Sequence, residues 1–468
     1  MERYINDEWT LKDELGYQEV VDQVNKIIFN AEPPFTIGIY GGWGYGKTSI
    51  MRQLYFMNGG EIDSYKFPFV DEANEEIAGE EKKEIIEKLK EKGNINDYEA
   101  VWYNPWEHQF EKEPVIGLLH EIRERFNFFT KSTEEAKKLA DISIRTGIDI
   151  ISGIINAITK VKVDASNIEK YGEKYEKNNF EIASSSQRFK LLFEQAVKKL
   201  LGDKKDRKLI IFIDDLDRCE DDSIINLIRG IKLYLSTSNC IFVLGMDQIN
   251  VMRALKKNNI HKDYLDKLFQ CIIRVPLSNN YKKFIVEITK AYYSNKSQYN
   301  EFCNLLTDIL EKNPRKVKNF LNSFRTYYEI AERSFNGSEF RIEILILFHY
   351  LRVYYEPIFA ILEREHSFIE NLINVCKGEN ANNKVELMFK RYLDNPFVDY
   401  ENIPLKFETE EVISDKLEDI EFSYMEEISY RYEALKKFKE YLVKYFDKNN
   451  SEFTTKKLIK YIGTIEVN

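Results

Sequence analysis

Cysteine pairs, low-complexity tracts, uninterrupted apolar spans and an excess of basic charge are all missing from this sequence, and each absence removes a class of protein. The five cysteines (Cys219, Cys240, Cys271, Cys303, Cys376) are scattered with no CxxC pair, which argues against a zinc site or a disulfide framework and suits a reducing cytoplasm. Glycine and proline are sparse, and no biased tract exceeds a short Ser or Lys/Glu cluster, so the chain is globular. The formal net charge is -10, from 68 basic against 78 acidic residues; such a field repels nucleic acid unless a local basic patch compensates. His108, His120, His261, His349 and His366 are dispersed and form no metal, nuclease, protease or deaminase pattern.

Membrane-spanning runs are also wanting. Residues 142–161 have spanning length, yet Arg145, Asp149 and Asn156 fall inside them, and a charge at a bilayer centre costs about 2.5–3.5 kcal/mol on insertion scales. Residues 342–362 contain Arg352, Glu356 and Pro357, which predicts a buried helix broken near the proline. The polar, acidic start, Met1-Glu2-Arg3-Tyr4-Ile5-Asn6-Asp7-Glu8, lacks a secretory signal of ordinary form. A cytoplasmic protein without a transmembrane segment is expected, with peripheral membrane attachment the lesser reading.

What is present is 43% hydrophobic and 14% aromatic residues over 468 positions, enough for two or three cored domains. The most informative segment is Gly41-Gly42-Trp43-Gly44-Tyr45-Gly46-Lys47-Thr48, which fits GxxxxGK[ST] and stands between a strand-like run, Phe35 to Tyr40, and a helix-like run that continues through Ser49. Glycines let a backbone curl around phosphate oxygens, Lys47 would reach the β- and γ-phosphates, and the Thr48 hydroxyl is placed to ligate Mg²⁺. ATP and Mg²⁺ are therefore the expected ligands. A second apolar run, Lys208 to Ile213, delivers Asp214-Asp215-Leu216-Asp217-Arg218 into a polar turn. Asp214 is the candidate for the magnesium shell and Asp215 for the carboxylate that orients water.

The pattern elsewhere alternates helices with buried strands. A helix is predicted over residues 11–30, a charged helix over Glu75 to Lys92, and an aromatic strand from Tyr98 that Pro105 stops. Further strands are expected at Cys240 to Leu244 and at Cys271 to Val275. A polar link is expected from Val163 to Ser186, and an acidic stretch runs from Glu408 to Glu427. The fold class predicted is α/β, a P-loop parallel sheet with helices on both faces, a long insertion between the phosphate loop and the acidic strand, and an all-helical C-terminal region. In residue terms the core is expected over 1–106 and 188–280, the insertion over 107–187, a helical lid over 281–360, and a helical C-terminal region over 361–468.

Taken together, GGWGYGKTS, VWYNPWE, IIFIDDLDRC, VLGMDQ, YLDKLFQ and NPRKVKNFLN resemble the KAP family of P-loop NTPases. The resemblance implies an additional-strand core akin to AAA+ and STAND ATPases, and an ATPase role in antiviral defence or in membrane-associated signalling. It implies that Asp247 watches the γ-phosphate, although capping the next helix explains the same residue. Arg315 corresponds to a lid arginine that senses nucleotide. Lys267 falls where a neighbouring subunit's arginine finger is found, but as a lysine. A homo-oligomer and a protein partner or effector encoded nearby are implied as well. Many relatives carry transmembrane helices in the insertion, and this chain departs from that pattern. The alternative to an ATPase switch is a nucleotide-gated scaffold with little turnover.

Overall fold

The computed structural model describes residues 5–61, 75–93, 97–108, 114–125, 133–159, 185–202, 207–232, 239–261, 263–278, 280–290, 296–335, 341–393 and 422–446, with positions 461 and 463. Most of the polar link predicted from Val163 to Ser186 and most of the acidic stretch predicted from Glu408 lie outside the described residues; Ser185 and Ser186 already belong to a helix. The chain divides into two compact units, Glu8–Leu277 and Met1–Asp7 with Ser278–Asn468.

In Glu8–Leu277, five strands form one parallel sheet: β1 (Phe35–Tyr40), β2 (Tyr98–Tyr103), β3 (Lys208–Ile213), β4 (Cys240–Met246) and β5 (Cys271–Arg274), in the order β2-β3-β4-β1-β5. Side chains alternate between two cores, as a pleat with period two requires. Leu209, Ile211 and Ile213 of β3 and Cys240, Phe242 and Leu244 of β4 enter one. Ile210 and Phe212 of β3 with Ile241 and Val243 of β4 enter the other. A strand apolar on both faces must be covered on both. The helices α1 (Gln18–Asn30), α2 (Lys47–Met57) and α3 (Glu75–Lys92) contribute to the second core. The helices α4 (Pro114–Glu124), α5 (Glu134–Thr159), α6 (Ser185–Leu201), α7 (Asp221–Gly230), α8 (Gln248–Lys257) and α9 (Asp263–Leu268) contribute to the first. Among the described residues, the segment between β2 and β3 thus holds three helices, and the charge-interrupted run at residues 142–161 falls in α5 for most of its length.

Two local departures from expectation have plain causes. The helix predicted over residues 11–30 begins only at Gln18, because Gly16 takes φ +77 and the Asp13 carboxylate accepts from the amides of Tyr17 (2.6 Å) and Gln18 (3.1 Å), arresting the chain in a turn. Lys208, read only as the opening of β3, is buried and donates to the carbonyls of Ile28 (3.2 Å), Phe29 (2.8 Å) and Ala31 (2.8 Å), satisfying orphan acceptors at the end of α1.

The described elements of the other unit are helices. It comprises α10 (Tyr281–Thr289), α11 (Lys296–Ile309), α12 (Pro314–Ser334), α13 (Ile342–Tyr354), α14 (Glu356–Arg364), α15 (Ile369–Cys376), α16 (Lys384–Leu393) and α17 (Phe422–Phe446). The break anticipated near Pro357 is real: α13 and α14 meet at 118°, with Pro357 in the first turn of α14, where its missing N–H costs nothing. All ten residues from Ile342 to Leu351 are buried. No single helix among the described residues is long and apolar enough to cross a membrane; the bent α13–α14 pair meets that test only when taken together.

Candidate functional site

Because the strands are parallel, their carboxyl ends share one edge, and the polar segments leaving β1, β2, β3 and β4 gather there. The loop after β1 stays in register at first: the Gly41 amide donates to the Met246 carbonyl of β4 at 3.3 Å. It then turns through Gly44 (φ +82) and Gly46 (φ +86) into α2, a backbone conformation that a Cβ would strain. At Gly46 a Cβ would also lie 3.3 Å from the Tyr17 ring. Lys47 is buried, with Nζ donating to the Gly41 (2.7 Å) and Gly42 (3.0 Å) carbonyls. Its amine is therefore held over the loop that a phosphate chain would fill.

On the neighbouring side, the Asp214 amide donates to the Tyr103 carbonyl at 3.1 Å, extending the β2–β3 ladder by one residue. The Asp214 carboxyl is bonded to the Thr48 side chain, yet its Oδ1 is buried without a hydrogen-bond partner. An orphaned anionic oxygen in a buried site is costly unless something positive completes it. Burial pushes the Asp214 pKa up, while the Thr48 bond and the charges of Lys47 and Arg52 pull it back. Asp215 follows in the left-handed region (φ 56, ψ 27), unusual for a residue with a side chain. Its pKa is pushed up to about 6, first by burial and then by the charge of Asp214, with Arg218 opposing. Two neighbouring carboxyls whose environments resist ionisation are poised to receive a cation and a proton.

The donor set fits a magnesium–nucleotide. Hydroxyl and carboxylate oxygens from Thr48 and Asp214 suit a hard divalent ion, and the orphaned Oδ1 is the oxygen left over for it. Of the other expected positions, Ser49 lies in α2 with its Oγ accepting from the Thr10 amide at 3.1 Å. Trp43 is 51% exposed, and its Nε1 donates to the Asp217 carboxylate. Tyr45 flanks Gly42, where a Cβ would come within 2.8 Å of its ring. Asp247 follows β4, and its carbonyl accepts from Val251 at the start of α8 (3.2 Å). Lys267 is exposed on α9, and its carbonyl accepts from Lys232 Nζ at 2.8 Å. Arg315 belongs to the helical unit, in the first turn of α12, where its guanidinium pairs with Asp7 of the same unit.

Three residues at this edge escape a reading of the sequence. Arg52, one turn beyond Thr48, lies with its guanidinium 3.6 Å from the Trp102 ring centroid and 5.1 Å from that of Trp9. Burial lowers its pKa to about 10, against the charges of Tyr55, Asp214, Glu107 and Asp215, which raise it. Gly245 on β4 leaves room for the site: a Cβ there would lie 2.4 Å from Met51 Sδ and 2.9 Å from Asp214 Oδ1. Asn104, at the tip of β2, reaches Asp215 Oδ2 at 3.4 Å. Each depends on a contact across the sheet, which spacing along the chain does not carry; only the NPW turn hinted at Asn104.

A phosphate-loop strand and an acidic-pair strand separated by one inserted parallel strand define a P-loop NTPase. Residues 17–331, more than half of the chain, match the KAP family P-loop domain, and the chain belongs to that family. It is 29% identical over 154 residues to an uncharacterized protein of Methanocaldococcus jannaschii, across 33% of this chain and 64% of the relative; the match therefore spans under two thirds of that relative's length. The structure is also similar to the ORC2 protein of Aeropyrum pernix, solved in ADPNP and ADP complexes, with 96% of this chain and 93% of that chain covered at 11% identity and TM-score 0.31. A likeness that loose carries no argument about activity.

Proposed function

We propose that the chain binds ATP at the loop 41–49 and hydrolyses it, using the hydrolysis cycle as a switch. The observation that carries the reading is the convergence of the loop's Thr48 on Asp214, a fully buried carboxyl that retains one unpartnered oxygen. In this reading Lys47 exchanges the Gly41 and Gly42 carbonyls for β- and γ-phosphate oxygens, and the loop amides face the same phosphates. Thr48 and Asp214 would hold Mg²⁺, which when bound neutralises charge on the β- and γ-phosphates. Ionised Asp215 accepts a hydrogen bond from water and aims its oxygen at the γ-phosphorus. As the new O–P bond forms, the bond to the β-phosphate oxygen breaks, ADP leaves, and the water proton passes to Asp215 and on to solvent.

Asp247 would sense the γ-phosphate, and Arg315 and Lys267 are proposed respectively as a nucleotide-sensing lid residue and as a trans contact in a homo-oligomer. Residues 107–187 are proposed as a partner-binding insertion, and residues 281–360 and 361–468 as the lid and helical region that respond to nucleotide. The antiviral setting and a nearby effector rest on the resemblance alone; cells carrying the wild-type gene should resist phage that cells carrying Lys47→Ala do not. The hydrolytic reading is tested by steady-state ATP turnover with and without a magnesium chelator. We expect turnover that chelation and Lys47→Ala each abolish. Tight binding with no turnover would favour the nucleotide-gated scaffold instead.

A further inference from the structure

Arg315 takes its carboxylate from a residue far away along the chain. The first turn of α12 carries Arg315 and Lys316 and no acidic residue, at the end of the helix where the backbone dipole is positive. Two cations there call for anions. Lys316 finds one close by, its Nζ lying 2.6 Å from Glu311 Oε2, which Arg431 also meets at 3.5 Å. Arg315 instead pairs through Nε with the Asp7 carboxylate.

Asp7 is anchored from both sides. Two residues before it, both halves of the Asn322 side-chain amide bind Ile5: Oδ1 accepts from the Ile5 amide at 2.7 Å, and Nδ2 donates to the Ile5 carbonyl at 2.8 Å. Because a backbone N–H only donates and a carbonyl only accepts, this pairing fixes which way the Asn322 amide faces. Arg315 and Asn322 stand about two turns apart on α12 and so share a face. Two residues after Asp7, within the sheet unit, the Trp9 ring centroid lies 5.1 Å from the Arg52 guanidinium, and the Thr10 amide donates to Ser49 Oγ at 3.1 Å. An exposed ion pair between two freely moving side chains is worth little. A carboxylate with fixed neighbours on either side loses less freedom in making the pair and is offered to Arg315 at a high effective concentration.

We propose that Asp7 is a built-in competitor for Arg315: its carboxylate occupies the guanidinium and must be displaced before nucleotide phosphate takes its place. The inference rests on the reading of Arg315 as the nucleotide-sensing lid residue and adds the regulation of that residue. Carboxylate and phosphate oxygens accept from the same guanidinium donors, so the two anions exclude one another at Nε. Nucleotide affinity then contains the cost of breaking the Asp7 pair, and anything that draws residues 5–7 off α12 lowers that cost.

The test compares Asp7→Asn, Asn322→Ala, Glu8→Gln, Arg315→Gln and the double variant Asp7→Asn with Arg315→Gln against wild type, in ATP affinity by equilibrium titration at one ionic strength. Asp7→Asn should tighten ATP about 2- to 5-fold, which is what one exposed ion pair is worth. Asn322→Ala releases the anchor but leaves the carboxylate, and should give a smaller gain. Glu8→Gln removes the neighbouring exposed carboxylate and should change nothing, which separates competition at Arg315 from a general fall in negative charge. Arg315→Gln should weaken ATP about 10- to 100-fold. In that background Asp7→Asn should have no further effect, because the two residues act as a unit.

Asp7 and Glu8 are both exposed, so their variants keep the fold and decide the matter should Asn322→Ala fail to fold. Unchanged affinity in Asp7→Asn, an equal gain in Glu8→Gln, or a gain that persists in the Arg315→Gln background would overturn the proposal alone. Unchanged affinity and turnover in Arg315→Gln would remove the reading of Arg315 itself, and this proposal with it, while ATP binding at the loop 41–49 is judged separately by Lys47→Ala.

Discussion

The two units differ in how buried carboxyls such as Glu386 and Asp214 are met. In the helical unit several buried polar groups have local partners. Asn313 caps α12 through its own side chain, which accepts from the Lys316 amide at 3.2 Å. Glu386 accepts from Asn371 (3.0 Å), Asn374 (3.4 Å) and the Asn382 amide (2.7 Å), and these bonds hold its pKa below the ordinary carboxylate value. His349 Nε2 meets Ser323 Oγ at 2.9 Å, while its Nδ1 is buried without a hydrogen-bond partner. In the sheet unit, Asp214 keeps an orphaned oxygen, Asp215 sits in a left-handed backbone, and both carboxyls have raised pKa values. Satisfied burial is what a core needs; unsatisfied burial at one edge of a sheet costs stability and persists where a ligand completes it. Glu386 is a satisfied core group, whereas Asp214 adjoins the phosphate loop and keeps an oxygen that a ligand would complete.

The strongest way to break that contrast is Lys47→Ala. If the sheet edge is a nucleotide site, losing the cation held over the loop should weaken ATP affinity by about 2–4 kcal/mol, or roughly 30- to 1000-fold, as measured by equilibrium titration. An unchanged affinity would make the loop a structural turn like those of the helical unit.

A subtler difference concerns stability. Removing a satisfied group destabilises, but removing a strained one should do the reverse. Asp215→Asn relieves the repulsion from Asp214 and places asparagine, which tolerates the left-handed region, at φ 56. The variant should gain about 1–3 kcal/mol in the nucleotide-free protein, read as a higher Tm.

Acid sharpens the comparison further, because the two units should respond with opposite sign. Asp215 has a folded pKa of about 6 against an ordinary 3.8. Between those values the folded state binds the extra proton, so this group stabilises increasingly as pH falls, by about 1 kcal/mol at pH 5. His349 is the converse: burial lowers its pKa from 6.5 to about 3, so the unfolded chain binds the proton first. Below pH 6.5 the helical unit should lose stability, by about 2 kcal/mol at pH 5. Hydrogen exchange followed at pH 7 and pH 5 should show protection falling in α12 and α13 but not in β3. A parallel fall in both would remove the distinction.

The smallest effect is expected from Asn313→Ala, which deletes the cap of α12 and should cost about 1 kcal/mol by denaturant unfolding. Turnover per folded molecule should not change.

Much of this contrast was legible along the chain. The GxxxxGKT loop between a strand and a helix, and the acidic pair closing an apolar run, are local patterns whose chemistry is tied to their spacing. Strand β1 and helix α3 take the bounds that periodicity gives them, because each is long, patterned and flanked by breakers. Less legible were the groups that act across the sheet. Gly245 looks like a weak point in a strand until Met51 and Asp214 are seen against it. Arg52 looks like an ordinary helix residue until Trp9 and Trp102 enclose its guanidinium. Lys208 and Asn104 join chain positions more than a hundred residues apart, and no local propensity records such a pairing.

The central claim is that the buried, strained carboxyl at this edge performs chemistry and does not merely hold the nucleotide. The most direct measurement is ATP turnover and ATP affinity determined on the same preparations of wild type and Asp215→Asn. Affinity should be retained and turnover should fall about 10²- to 10⁴-fold. Equal loss of both would instead make Asp215 part of the binding site, and undiminished turnover would contradict the account outright.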